Sequence, residues 1–111
     1  MGEKVRGKVY RVVVYESALE LIHGMYSIIT EIYIPSLELA FNEFHVFKLP
    51  KSRAVERYSP MKLSHGRPDG AEFLGEIELK KEDVEKLAGY VSLGEEIGRI
   101  TRKYLEVAKG L

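Results

Sequence analysis

The stretch VRGKVYRVVVY, residues 5–15, is dense in β-branched and aromatic residues and reads as a β-strand. Side chains alternate along a strand, so Val5, Gly7 and Val9 share one face while Arg6, Lys8 and Tyr10 share the other. Residues 12–14 are apolar on both faces, which predicts deeper burial for the second half.

Downstream, Ser17 and Glu20 form a capping box around Ala18, Leu19, Leu21 and Ile22, and Gly24 supplies a stop, so residues 17–23 are predicted to form a short helix. Residues 25–34, MYSIITEIYI, then read as a second strand ended by Pro35, with a helix running on through Gly24 as the alternative. From Ser36 the period changes. Leu37, Ala40, Phe41, Phe44 and Phe47 recur at three- and four-residue steps and predict an amphipathic helix ending before Pro50.

Residues 51–70 have no period, and Pro60, Gly66, Pro68 and Gly70 mark a long surface connection with a helical turn near residues 54–58. Residues 71–79, AEFLGEIEL, set Phe73, Gly75, Ile77 and Leu79 against Glu72, Leu74, Glu76 and Glu78, a third strand with one mostly polar face. Beyond it, Val84, Leu87 and Val91 line a helix. A second capping box, Ser92 with Glu95, opens another, in which Leu93, Ile97, Ile100, Tyr104, Val107 and Leu111 follow a heptad seam. The pattern predicts one α+β domain over residues 1–111: a small antiparallel sheet covered by helices on one face, with a helical C-terminal end over 80–111.

A chain of 111 residues, 45% hydrophobic and 31% charged, reads as soluble and globular. No apolar run is long enough to span a bilayer, and the opening MGEKVRGKVY lacks the apolar centre of a leader, so a cytoplasmic, membrane-free protein is expected. The absence of cysteine excludes disulfides, thiolate zinc sites and cysteine nucleophiles. No glutamine and a single asparagine, Asn42, beside abundant Glu, Lys and Arg, is the compositional habit of hyperthermophile proteins.

His23, His45 and His65 lack ligand spacing, no serine sits in a nucleophile elbow, and no Gly-rich phosphate loop occurs, so no metal or cofactor is expected. Pro68-Asp69 followed by Glu78-Leu79-Lys80 resembles the PD…ExK pattern of Mg²⁺-dependent nucleases. Along one strand, however, the two carboxylates would lie about 30 Å apart at roughly 3.3 Å per residue.

The formal net charge is zero, yet the charges are segregated. Residues 1–15 carry Lys4, Arg6, Lys8 and Arg11 against Glu3, residues 16–44 carry glutamates and no Lys or Arg, and residues 45–69 carry six cations against Glu56 and Asp69. Segregation of this kind can build a basic surface that the net charge conceals. Phosphates call for Lys and Arg, and unpaired bases call for flat rings. The segment FHVFKLPKSRAVERYSPMKLSHGR, residues 44–67, has both, as does the Arg6, Lys8 and Tyr10 face of the first strand.

The candidate nucleic-acid-binding residues are therefore Arg6, Lys8, Tyr10, Phe47, Lys48, Lys51, Arg53, Arg57, Tyr58 and Lys62, with Tyr58 the leading stacking ring. Phe44 and Phe47 also fall on the apolar stripe, which leaves core and stacking roles open for both. The expected role is non-enzymatic binding of single-stranded DNA, or RNA, with little sequence preference. The competing readings are a solvated surface, a protein-interaction module within a larger assembly, and a Mg²⁺-dependent nuclease. A C-terminal seam of Leu93, Ile97, Ile100, Tyr104 and Val107 is the expected interface of a homo-oligomer, a dimer or higher.

The basic strand VRGKVYRVVVY, the passage EIYIPSLELAFNEF, the basic segment KLPKSRAVERY and the helical end together resemble the ThermoDBP-related single-stranded DNA-binding proteins of hyperthermophilic archaea. The resemblance implies an α/β DNA-binding domain, contact through basic and aromatic side chains, and assembly into dimers or higher oligomers.

Overall fold

A computed structural model describes residues 2–89 and 94–111. Strand β1 (Lys4–Val14) lies between β2 (Ser27–Ile34) and β7 (Ala71–Lys80), and β3 (Leu39–Phe41) and β4 (Val46–Lys48) extend the β2 side. The result is a five-stranded sheet of order β4-β3-β2-β1-β7, antiparallel at every pairing. Helices α3 (Lys81–Gly89) and α4 (Glu95–Lys109) follow, so the chain is α+β with a helical C-terminal end. No helix is long and apolar enough to cross a membrane among the described residues.

The period-2 reading of β1 fixes both cores. Val9 pairs with Ile32, and these join Ile34, Leu39, Phe41, Ile77 and Leu79 beneath Val84 and Leu87 of α3 and Ile100, Tyr104 and Leu105 of α4. Gly7 sits in the same face, where an added Cβ would lie 2.7 Å from Leu79 Cδ1. On the second face Tyr33, Ala40 and Leu49 pack against Ala54 of a further helix, α2 (Lys51–Arg57), which covers only part of the sheet.

The short helix after β1 forms as its caps predict. In α1 (Ala18–His23) Ser17 Oγ accepts from Glu20 N at 3.1 Å, and Gly24 closes the helix at φ 68°. That stop leaves β2 as a strand.

Four expectations are corrected. The helix expected from Ser36 to Phe47 is a 3₁₀ turn (Pro35–Leu37) and the β3–β4 hairpin. Glu38 turns the chain at φ 49°, and Asn42 Oδ1 accepts from Phe44 N at 2.8 Å and His45 N at 3.1 Å to fold the hairpin back. The apparent stripe was a coincidence of destinations: Phe41 enters the α3–α4 core, Ala40 and Phe47 face α2, and Phe44 is exposed.

The expected connection over 51–70 is instead α2 and a hairpin, β5 (Lys62–Ser64) with β6 (Arg67–Asp69). In β7 the alternation breaks. Val9 pairs with Gly75 but Tyr10 pairs with Phe73, so Leu74 is an extra residue, and Gly75 takes φ 143°. Phe73 therefore shares the face of Glu76 and Glu78 rather than that of Ile77 and Leu79.

Two residues of the C-terminal seam are also corrected as interface positions. Ile100 and Tyr104 are buried within the chain, Ile97 packs partly against the same core, and of the seam Val107 is exposed. Leu93, with the Ser92 capping box, lies outside the described residues. The buried positions of α4 are Ile100, Thr101, Tyr104, Leu105 and Ala108, two adjacent i+4 rows that fit a sheet face better than a narrow heptad line.

Candidate nucleic-acid interface

The alternation that buries Val9 turns Lys4, Arg6, Lys8 and Tyr10 toward the half-covered face of the sheet. What stands over that face is α2, and its position is set by one carboxylate. Glu31, the cross-strand partner of Tyr10, is fully buried in β2. It accepts from Arg57 Nε at 2.6 Å and Nη2 at 2.7 Å, from Tyr58 Oη at 2.6 Å and from Asn42 Nδ2 at 2.8 Å. The N-terminal end of α2 is tied by Lys51 N donating to Glu38 Oε2 at 2.7 Å.

These contacts decide which candidates remain available to a ligand. Arg57 holds a bidentate ion pair with Glu31 and stands 5.1 Å over the Phe47 ring. Hydrogen bonding to Glu31 raises its pKa further above the ordinary arginine value. Tyr58, the expected stacking ring, is already stacked on Tyr10 at 4.1 Å with 3° between planes. Burial, then the Glu31 charge, pushes its phenol well above the ordinary tyrosine range. Both residues are walls and anchors here rather than free binding groups.

The remaining candidates divide between the two flanks of α2. On one flank an open groove of about 600 Å³ is lined by Lys8, Tyr10, Tyr33, Pro35, Lys51 and Tyr58 among others, with no carboxylate in its lining. A second hollow shares Lys8 and Pro35 with it and adds Lys4 and Arg6 with Glu76, so the two form one continuous trough. Tyr33 Oη donates to Leu49 O at 3.1 Å, whereas Tyr10 Oη makes no hydrogen bond among the described residues. Burial holds the phenols of Tyr10 and Tyr33 above their ordinary range, with Glu76 adding to the first and Glu38 to the second, so both stay neutral hydrogen-bond donors.

On the opposite flank, Phe47, Lys48, Arg53 and Arg57 border a separate groove that also contains Glu56 and Asp69. Lys62 stands apart on β5, where its cross-strand partner is Asp69. The ten candidates thus form two sites and an outlier, not one surface.

Several contributors were not singled out from the sequence: Glu31, Asn42, Tyr33, Lys4 and Phe73. A signal existed for two of them. Glu31 is a lone acid inside the apolar run SIITEIYI, and such a residue, once buried, needs a cation. Asn42 is the single asparagine in the chain. Phe73, exposed and 5.4 Å from Tyr10, reaches this face only through the bulge.

Asp69 and Glu78, the carboxylates of the nuclease-like pattern, do not converge. Asp69 ends β6 and accepts from Gly70 N at 2.9 Å, while Glu78 pairs with Arg6 far along β7. Among the described residues no group of three or more metal-ligating side chains is gathered. The chain matches no protein-family model, no curated protein and no solved structure.

Proposed function

We propose that the chain binds single-stranded nucleic acid, DNA first, without catalysis and with little sequence preference, in the trough between β1 and α2. The observation that carries this reading is the trough itself. Lys8 and Lys51 stand beside Tyr10, Tyr33 and Tyr58, and Lys4 and Arg6 line the adjoining hollow, whose one acid, Glu76, lies 3.4 Å from Arg6. Cations spaced along a groove suit a phosphate backbone, and rings at its margin suit bases, without demanding any particular sequence. Phe73, 5.4 Å from Tyr10 beside the trough, and the edge of Tyr10 would be the rings that stack, since Tyr58 is committed to Tyr10. The resemblance in the basic first strand to archaeal single-stranded DNA-binding proteins supports the same reading.

The test is fluorescence anisotropy of labelled oligo-dT and oligo-rU over a range of salt, with duplex DNA as control. Each of Lys8→Ala and Lys51→Ala should reduce the log–log salt slope by about 0.7, the increment for one phosphate contact on a single strand. Arg53→Ala, on the other flank, should leave the slope unchanged. No single-strand binding at low salt, or binding indifferent to Lys8 and Lys51, would overturn the proposal.

A further inference from the structure

We infer that the α1 end of the molecule is a self-association surface, occupied by α1 of a second copy of this chain. None of the residues of α1 is buried. Helices this short are held mostly by the tertiary packing of an apolar face, and α1 has none within its own chain. Polar contacts hold it instead: the Ser17 cap, the Gly24 stop, and Arg67, whose Nε donates to Leu21 O at 2.6 Å and Nη2 to Ile22 O at 3.2 Å. The helix is fixed in place while its apolar side chains face solvent.

Those side chains are Leu19, Leu21, Ile22, Met25, Tyr26 and Ile28, between 46% and 67% exposed. Leu19 and Ile22 lie one turn apart on the same side of α1, Leu21 precedes Ile22 in the same helix, and Met25, Tyr26 and Ile28 follow in the turn and the start of β2. Side chains of this size, about half exposed, present on the order of 500–600 Å², at the top of the range for the largest patch on a monomer. That area is a little short of the ~800 Å² each partner gives to a standard interface. Leu63, 74% exposed on the adjoining β5–β6 hairpin that Arg67 ties to α1, extends it.

Charge argues for a copy of the same chain. The first-turn end of α1 carries Glu16 and Glu20, and the last-turn end carries His23 with Arg67 beside it. A two-fold axis perpendicular to α1 sets the helices antiparallel, so each acidic end meets a basic end and the helix dipoles oppose. The acids at the rim disfavour an anionic lipid surface, which would want Lys and Arg there. This surface is separate from α4, whose Ile100 and Tyr104 lie inside the fold.

Sedimentation velocity of the full chain across micromolar concentrations is the test. A dimer that dissociates on dilution is expected, weakened at least ~30-fold by Leu19→Glu with Ile22→Glu, as for loss of an interface hot spot. Phe44→Glu, equally exposed but on the β3–β4 turn, should leave the dimer intact. The substituted residues are exposed, so circular dichroism should show an unchanged fold. A monomer at every concentration, or a doubly substituted chain that dimerises like the parent, would overturn the inference. So would a monomer that co-floats with anionic phospholipid vesicles, which would assign the patch to lipid.

Discussion

Arg57 offers the sharpest contrast between a ligand-binding cation and a structural one. Glu31 is fully buried, and two of the hydrogen bonds it accepts come from the guanidinium. Replacing Arg57 by Met leaves Tyr58 and Asn42 as donors but removes the counter-charge. Breaking a buried pair from one side costs about 3–5 kcal/mol. The Arg57 side chain is 28% exposed, so water can reach part of the vacated space and the lower figure, ~3 kcal/mol, applies. For a chain of this size roughly 4 °C accompanies each kcal/mol, which predicts a fall in Tm of about 12 °C.

Adding Glu31→Gln to Arg57→Met removes the stranded charge; the amide oxygen still accepts from Asn42 and the amide N–H can donate to Tyr58 Oη, so about 2 kcal/mol should return. Urea unfolding and thermal melts followed by circular dichroism measure both. The same variant, kept below its melting temperature, should bind oligo-dT with an unchanged salt slope. A loss below about 1 kcal/mol, or a double variant no more stable than the single, would refute the reasoning. A slope reduced by about 0.7 would instead make Arg57 a phosphate contact.

Phe73→Ala should weaken oligo-dT binding by about 1–3 kcal/mol, the usual worth of one stacked base, while leaving the salt slope unchanged in the anisotropy titration. Burial alone would raise the Asp83 carboxyl, but hydrogen bonds from Tyr104 at 2.6 Å and Lys103 at 3.3 Å outweigh it and hold the group below its ordinary 3.8. Because the folded value is the depressed one, the stabilisation is complete above about pH 4 and is lost as pH falls through the folded value. Tyr104→Phe should therefore cost about 1–2 kcal/mol at neutral pH and progressively less in acid, measured by urea unfolding across pH. Gly70→Ala should destabilise by about 2 kcal/mol or more, read from the urea midpoint, because φ is 102° and the new Cβ would lie 2.6 Å from both Ser59 O and Pro60 O.

What the sequence disclosed follows a physical division. Elements written by local chemistry were legible: the alternation of β1, the cap and stop of α1, and the apolar rows of the C-terminal helices. Elements written by distant partners were not. Beyond the lone Asn42, nothing near Leu37–Phe47 announces a turn or that β3 will pair with Ile32–Ile34, and the accidental three–four spacing filled the gap. The bulge at Leu74 is equally silent, yet it decides which face Phe73 occupies. The heptad spacing in α4 was real, but spacing cannot say whether a stripe meets its own sheet or another chain. The sheet wins because Val9, Ile32 and Leu79 present an apolar face that must be covered.

The candidate site shows the same division for charge. Residues 44–67 gather six cations, but Arg57 and Arg67 are spent inside the fold, on Glu31 and on the carbonyls of α1. Lys48 and Arg53 stand on the flank of α2 that also holds Glu56 and Asp69, and Lys62 stands beyond both. Only Lys51 of that segment joins Lys4, Arg6 and Lys8, so the sign of the proposed trough comes from β1 rather than from the richer segment.

The second wall of that trough exists because Glu31 draws Arg57 and Tyr58 inward and holds α2 over the sheet. Stability and binding are therefore coupled through a residue that would touch no ligand. Loosening Glu31 should widen the trough and draw Tyr58 off Tyr10, while Lys51, tied to Glu38, stays in place and the salt slope is unchanged. Affinity should then fall even though every trough-lining cation is still present.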